Sequence, residues 1–243
     1  FDMIPVVNHE LDLEVIREPF QASFEKTLRG LAESDGFNQL IIAAEMDWRQ
    51  VNILRAYCKY LIQVRSPFSQ NYMAETLAKF PVISRLLIEL FEAMFDPERD
   101  TEGAARKRQA ARELASRFDD LLNDKFRQDK HLLECIDEMV QARGADRERQ
   151  SQAIKTAFQR ALNSVSSLDE DRILYAFYDV MRATLRTNFF CPEKSTGSAG
   201  YICFKIDSAK VADLPLPRPY REIWVYSARF EGIHLRCGKI ARG

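Results

Sequence analysis

Apolar residues recur every three or four positions through most of the chain, the spacing that lays one greasy stripe along a helix. From Leu11 to about Ala32 the stripe is Leu13, Ile16, Phe20, Phe24, Leu28 and Leu31, ended by Asp35 and Gly36. Trp48 to Val64 repeats it through Val51, Leu54, Arg55, Cys58 and Leu61, with Asp47 placed as N-cap and Ser66-Pro67 as the stop. Ser69 caps a helix to Phe80, and Pro81 opens another through Val82, Leu86, Leu90 and Phe95 before Asp96-Pro97. Thr101 to about Phe126 is rich in strong helix formers and shows a narrow apolar face of Leu114, Phe118, Leu121 and Leu122, predicting a long, half-exposed helix. Further helices are predicted around 130–142, 147–163 and 169–188. The last is capped by Asp169 and turns Ile173, Phe177, Val180, Met181 and Leu185 inward.

The period changes near Cys191 and Pro192. The last 53 residues hold five of the nine glycines and four of the nine prolines, between short β-type runs. Tyr201–Ile206, Glu222–Tyr226 and Ile233–Ile240 read as strands of an antiparallel meander, with Glu231-Gly232 as a short turn. In the third, Ile233, Leu235 and Cys237 alternate with His234 and Arg236, which predicts one buried face. The segment 213–219 is a proline-rich connection that cannot be a central strand. The predicted fold is therefore mainly α: a helical bundle or array over 1–190, followed by a small antiparallel β segment over 191–243.

Composition narrows the function classes. With 46% hydrophobic and 29% charged residues the chain can bury a sizeable core. No run is long and apolar enough to span a membrane and no targeting pattern opens the chain, so a cytoplasmic protein with no membrane partner is expected. Residues 191–243 carry nine Lys/Arg against five Asp/Glu, a net +4, leaving −5 of the total −1 to the helical part. That imbalance is too small for a dedicated nucleic-acid binder, so no nucleic acid is expected. Five cysteines, Cys58, Cys135, Cys191, Cys203 and Cys237, lie far apart with no CxxC pair, and read as reduced structural thiols.

No short motif announces an active site. GxGxxG after a strand, Walker A, HExxH and GxSxG are all absent, and His9, His131 and His234 are each more than a hundred residues apart. Pro192 to Gly200 has the glycines and hydroxyls of a phosphate loop but is followed by a strand rather than a helix, so a hairpin connection is the better reading. The basic run Arg106, Lys107, Arg108, Arg112 and Arg117 is interrupted by Glu102, Glu113, Asp119 and Asp120, as a solvated, salt-bridged helix face would be. Arg236, Lys239 and Arg242 are three cations at a strand end broken by Gly238 and Gly243. Such a place suits a carboxylate, although exposed strand ends are commonly cationic too.

The same end carries a family resemblance. Phe204 to Gly243, FKIDSAKVADLPLPRPYREIWVYSARFEGIHLRCGKIARG, resembles the entry into the catalytic domain of the large bacterial NAD-specific glutamate dehydrogenases. SDGFNQLIIAAEMDWRQVNILRAYCKYL (Ser34–Leu61), SQNYMAETLAKFP (Ser69–Pro81) and DEDRILYAFYDVMRATLRTNFF (Asp169–Phe190) resemble the helical region before it; Thr101 to about Val165 is the least distinctive stretch. The resemblance implies a piece of an enzyme that oxidatively deaminates L-glutamate to 2-oxoglutarate and ammonia with NAD, inactive as this piece alone. It also implies that the catalytic lysine and the NAD-binding Rossmann domain lie beyond Gly243. Arg242 and Gly243, with Lys239 and Arg236, are then expected at the edge of the substrate-binding segment. The helical region is expected to be structural or regulatory, and the parent a homo-oligomer. A free-standing α-helical scaffold or regulatory module, whose β tail docks on the bundle, is the rival expectation.

Overall fold

The computed structural model describes residues 13–191, 200–212 and 214–238. Among these, eleven α-helices precede and lead into a four-stranded antiparallel sheet. They are α1 Leu13–Leu28, α2 Leu40–Ala43, α3 Trp48–Gln63, α4 Gln70–Lys79, α5 Pro81–Phe95, α6 Glu98–Thr101, α7 Ala104–Leu121, α8 Asp124–Arg127, α9 Lys130–Ala142, α10 Arg147–Leu162 and α11 Leu168–Ala183. The strands are β1 Thr184–Thr187, β2 Ile202–Ile206, β3 Arg221–Tyr226 and β4 Glu231–Arg236, in the order β1-β2-β3-β4. None of these helices is long and apolar enough to cross a membrane.

Local chemistry places most helix ends where the sequence predicts them. Asp47 and Gln50 form a reciprocal capping box at the start of α3, and Ser69 accepts from the Tyr72 amide at the start of α4. Pro81 occupies the first turn of α5, where its missing N–H costs nothing. Gly30 ends the α1 turn at φ +66°, a left-handed conformation that glycine adopts without strain.

α5 is the central helix. Val82 to Leu90 is buried on every side, and the helix packs against α10 and α11. Its two buried charges are answered locally: Glu89 accepts from Arg85 at 2.8 Å and from Arg99 of α6 at 2.9 Å. Arg99 also reaches Glu92 at 2.7 Å, and Gln50 of α3 joins through both Arg85 and Glu92.

Several sequence expectations are corrected. The long helix predicted over 101–126 is broken, because Leu122 turns extended and the Asn123 side chain caps a new short helix by accepting from Phe126 N. The helix predicted over 169–188 is capped by Ser167 and stops at Ala183. Thr184 hooks its hydroxyl back onto the Val180 carbonyl while its backbone enters β1, leaving Leu185 exposed instead of inward. Glu231-Gly232 opens β4, and the turn is made by Ser227, whose hydroxyl accepts from the Arg229 and Phe230 amides.

Two apolar stripes are less buried than their periodicity predicts. On α1, Ile16 and Phe20 are half-buried, whereas Phe24, Leu28 and Leu31 are exposed, Leu28 by 72%. On β4 the parity is right, since Ile233 and Leu235 sit opposite Trp224 and Glu222 on the inner face. The helical layer ends beneath β3, however, so Ile233 is only half-covered, Leu235 is 52% exposed, and Cys237 is exposed beyond the strand end.

One hydrophobic core runs through helices and sheet, from Phe37 and Leu40 through α3, α5 and α11 to Phe204, Ile206, Trp224 and Tyr226. The sheet lies on α3. Tyr57 stacks on Phe204 with ring centroids 4.2 Å apart, and Tyr60 meets Trp224 edge-on at 5.9 Å.

Candidate functional site

The inner face of β3 alternates Glu222, Trp224 and Tyr226, and each sends a polar atom into the helical body. Trp224 Nε1 donates to the Ala56 carbonyl at 2.9 Å. Tyr60 donates to Glu222 Oε2 at 2.7 Å, and Ser208 adds a second donor at 3.3 Å. Tyr226 donates to Glu33 Oε1 at 3.0 Å. Burial pushes the Tyr60, Tyr226 and Tyr57 phenols above their ordinary range, and the acceptors Glu222 and Glu33 add to the effect on the first two. All three therefore stay protonated, with Tyr60 and Tyr226 as donors.

Behind Glu33 lies a second buried network. Arg55, a member of the apolar stripe by spacing, is fully buried and grips Asp35 with two nitrogens, at 2.7 and 2.9 Å. It also donates to Asn38 Oδ1 at 2.8 Å and to Asn52 Oδ1. Burial alone would lower its pKa, but Asp35 more than reverses this and leaves it raised.

The cationic strand end is described only in part. Arg236 closes β4 and lies directly across from Arg221 on β3. Two like charges in register destabilise a strand pair unless something neutralises them. Arg221 is neutralised, by Asp207 at 2.7 Å, with its guanidinium over the Tyr220 ring. Arg236 has no such partner among the described residues. Lys239, Arg242 and Gly243 lie outside the described residues.

The other singled-out features take structural places. Residues 192–199 lie outside the described residues, but they connect β1 and β2, which are antiparallel neighbours. In the basic run, Arg106 faces Glu113 at 3.4 Å and Lys107 donates to the Gly144 carbonyl, while Arg108 and Arg112 are exposed. His131 is exposed beside Glu134, His234 is exposed on β4, and His9 lies outside the described residues. Among the described residues no cluster of three or more His, Cys, Asp or Glu could hold a metal ion.

All five cysteines are free. Burial pushes the Cys58 thiol up to about 12, and pushes Cys203 and Cys135 upward too. In Ellman labelling of the native chain, exposed Cys191 and Cys237 should react first and Cys58 only on unfolding. Five thiols reacting at a single rate would contradict this packing.

Sequence reasoning missed a cleft where α1, the start of α3 and the sheet meet. About 250 Å³ in volume, it is lined by Lys26, Trp48, Arg49, Asn52, Asn188 and Phe189 among others. Its signal in the sequence was slight, a tryptophan-arginine pair at a helix start, because its walls come from segments some 140 residues apart.

Comparison with known proteins places these elements. Residues 157–243 match the model for the bacterial NAD-glutamate dehydrogenase catalytic domain, and residues 32–97 match glutamate dehydrogenase helical motif 3. Over 96% of its length the chain is 36% identical to an NAD-specific glutamate dehydrogenase of Halomonas elongata and 35% identical to one of Pseudomonas aeruginosa. Over 88% it is 36% identical to one of Mycobacterium tuberculosis. The chain spans only 12%, 12% and 11% of those relatives' lengths.

Proposed function

We propose, on the premise that the chain belongs to the bacterial NAD-glutamate dehydrogenases, that it is a segment of a cytoplasmic enzyme oxidising L-glutamate to 2-oxoglutarate and ammonia with NAD. Its own part is non-catalytic: the helices form a platform, and the sheet is the part of the catalytic domain built upon it. The observation carrying this is that the catalytic-domain match covers α11 and all four strands, whose inner face is anchored on α3.

NAD does not fit the described residues. The sheet is antiparallel, and among the described residues none of its strands runs through a glycine-rich turn into a helix start, so this reading assigns the dinucleotide to another part of the enzyme. What the chain offers the substrate is positive charge. Arg236, with no acidic partner among the described residues, could take a carboxylate bidentately, and a glutamate carboxylate there would supply the counter-charge that Arg221 obtains from Asp207. Lys239 and Arg242 carry the same role as a proposal, with Gly243 allowing close backbone approach. Oxidative deamination also needs a base and a hydride acceptor, and this reading assigns both to the rest of the enzyme.

At β4 the parent also has a strand edge and an exposed Leu235 to cover, either with its own later domains or with a second copy in a homo-oligomer.

A full-length protein should reduce NAD in the presence of L-glutamate, followed as NADH absorbance, while the 243-residue chain should not. Failure of the full-length protein would remove the enzyme reading. In that protein Arg236→Gln should lower kcat/KM for glutamate roughly ten- to a hundredfold, the worth of one charge-assisted hydrogen bond. An unchanged kcat/KM would take Arg236 out of the substrate's reach.

A further inference from the structure

We propose that the cleft between α1, the start of α3 and β1 is a binding site for a small organic anion with a flat apolar body, an aromatic carboxylate or phosphate. The inference rests on this chain's own atoms and not on the enzymatic reading above.

The walls are flat and apolar: Trp48 on α3, and Phe189 just after β1. Two cations flank them. Lys26 Nζ lies 5.7 Å from the Trp48 ring centre, and the Arg49 guanidinium lies 4.7 Å from the Phe189 ring, with one nitrogen donating to the Phe189 carbonyl at 2.7 Å. Among the described residues neither cation is paired with a carboxylate, and no Asp or Glu lines the cleft.

The third element is Asn52. It is only 7% exposed, and its Oδ1 accepts from Arg55 Nη1, which fixes the amide's orientation because a guanidinium can only donate. Nδ2 is thereby turned to be a donor, and it donates to no atom of the described residues. Asn52 lines the cleft, so this amide presents a donor there. Two cations without an acidic partner among the described residues, an amide donor and flat walls define the complement: an anionic group on a planar body. Trp48, Arg49 and Asn52 belong to the segment matching the helical motif, and Asn188 and Phe189 to the segment matching the catalytic domain, so a bound anion would bridge the two.

The chain's two tryptophans supply the test, since Trp48 lies in the cleft and Trp224 is buried in the core. In ¹⁵N-labelled chain, with the two indole signals assigned through Trp48→Phe, titration with sodium benzoate or phenyl phosphate should move the Trp48 signal saturably and leave that of Trp224 in place. The tighter probe identifies carboxylate or phosphate as the preferred head. Arg49→Gln and Lys26→Gln, both on accessible side chains, should each weaken binding roughly tenfold, and an unmoved Trp224 signal reports that each variant is folded. No saturable shift with either anion would overturn the proposal. So would equal binding of neutral benzamide, or unchanged affinity in both variants.

Discussion

Glu89→Ala should be among the most damaging single substitutions in the chain, lowering the unfolding free energy by about 3–5 kcal/mol, the usual cost of removing one partner from a buried ion pair. Glu89 is the one carboxylate that both Arg85 and Arg99 share, and all three side chains are nearly without solvent contact. Without it, Arg85 keeps Gln50 alone among the described residues, while Arg99 keeps Glu92, Gln150 and a long ion pair to Asp96 at 3.9 Å. Urea denaturation would measure the loss, and a change below about 1 kcal/mol, the scale of an exposed pair, would mean that water reaches the cluster. Replacing Arg85, Glu89 and Arg99 together by apolar residues should recover most of the loss, because the penalty belongs to the unpaired charge.

The same group sets an acid limit. Burial pushes the Glu89 pKa up, but Arg85 and Arg99 outweigh burial and hold it down to about 2. The unfolded chain binds this proton near pH ~4.3. A depressed folded-state pKa gives stability that is fully present above that value and is lost as pH falls towards 2. Stability of the native chain should thus fall across this window, and Glu89→Gln, itself destabilised, should show a shallower fall. Identical slopes would mean that Glu89 is not held ionised by the two arginines.

Trp224→Ala should cost about 3–5 kcal/mol, as large-to-small changes of buried aromatics do, and the damage should begin at the sheet. Trp224 is fully buried in β3, bonds the α3 backbone through Ala56, and packs edge-on against Tyr60. Its loss leaves Glu222 and Tyr226 as the remaining inner-face anchors. Amide exchange should then speed up in β2 and β3 before it does in α5. Uniform acceleration along the chain would show that sheet and helices unfold as one unit.

The helical part was legible because its signals are local. Asp47, Ser69 and Pro81 act within one turn of the helix starts they set, and the stripes of α3 to α5 report burial that the rest of the fold confirms. Where a distant segment decided the outcome, the sequence misled. Helix periodicity runs on past Ala183, but Thr184 meets Tyr57 of α3 at 2.9 Å and its neighbours pair with β2, so the chain leaves the helix there. The stripes of α1 and β4 have the right period, yet no described neighbour lies far enough over Leu28 or Leu235 to cover them. Arg55 sits in a stripe as an apparent flaw, and only the fold brings Asp35 to it. The candidate site was legible only as a charge cluster. That Arg221 faces Arg236 and is already neutralised depends on strand register, which no spacing rule supplies.

Helix α3 is the floor on which the sheet rests: Ala56, Tyr57 and Tyr60 meet Trp224, Phe204 and Glu222 with no layer between them. In descent, a larger residue at position 56 or a lost hydroxyl at position 60 would leave Trp224 or Glu222 without its fit, so substitutions on α3 and on β3 are expected to come in compensating pairs although more than 160 positions separate them.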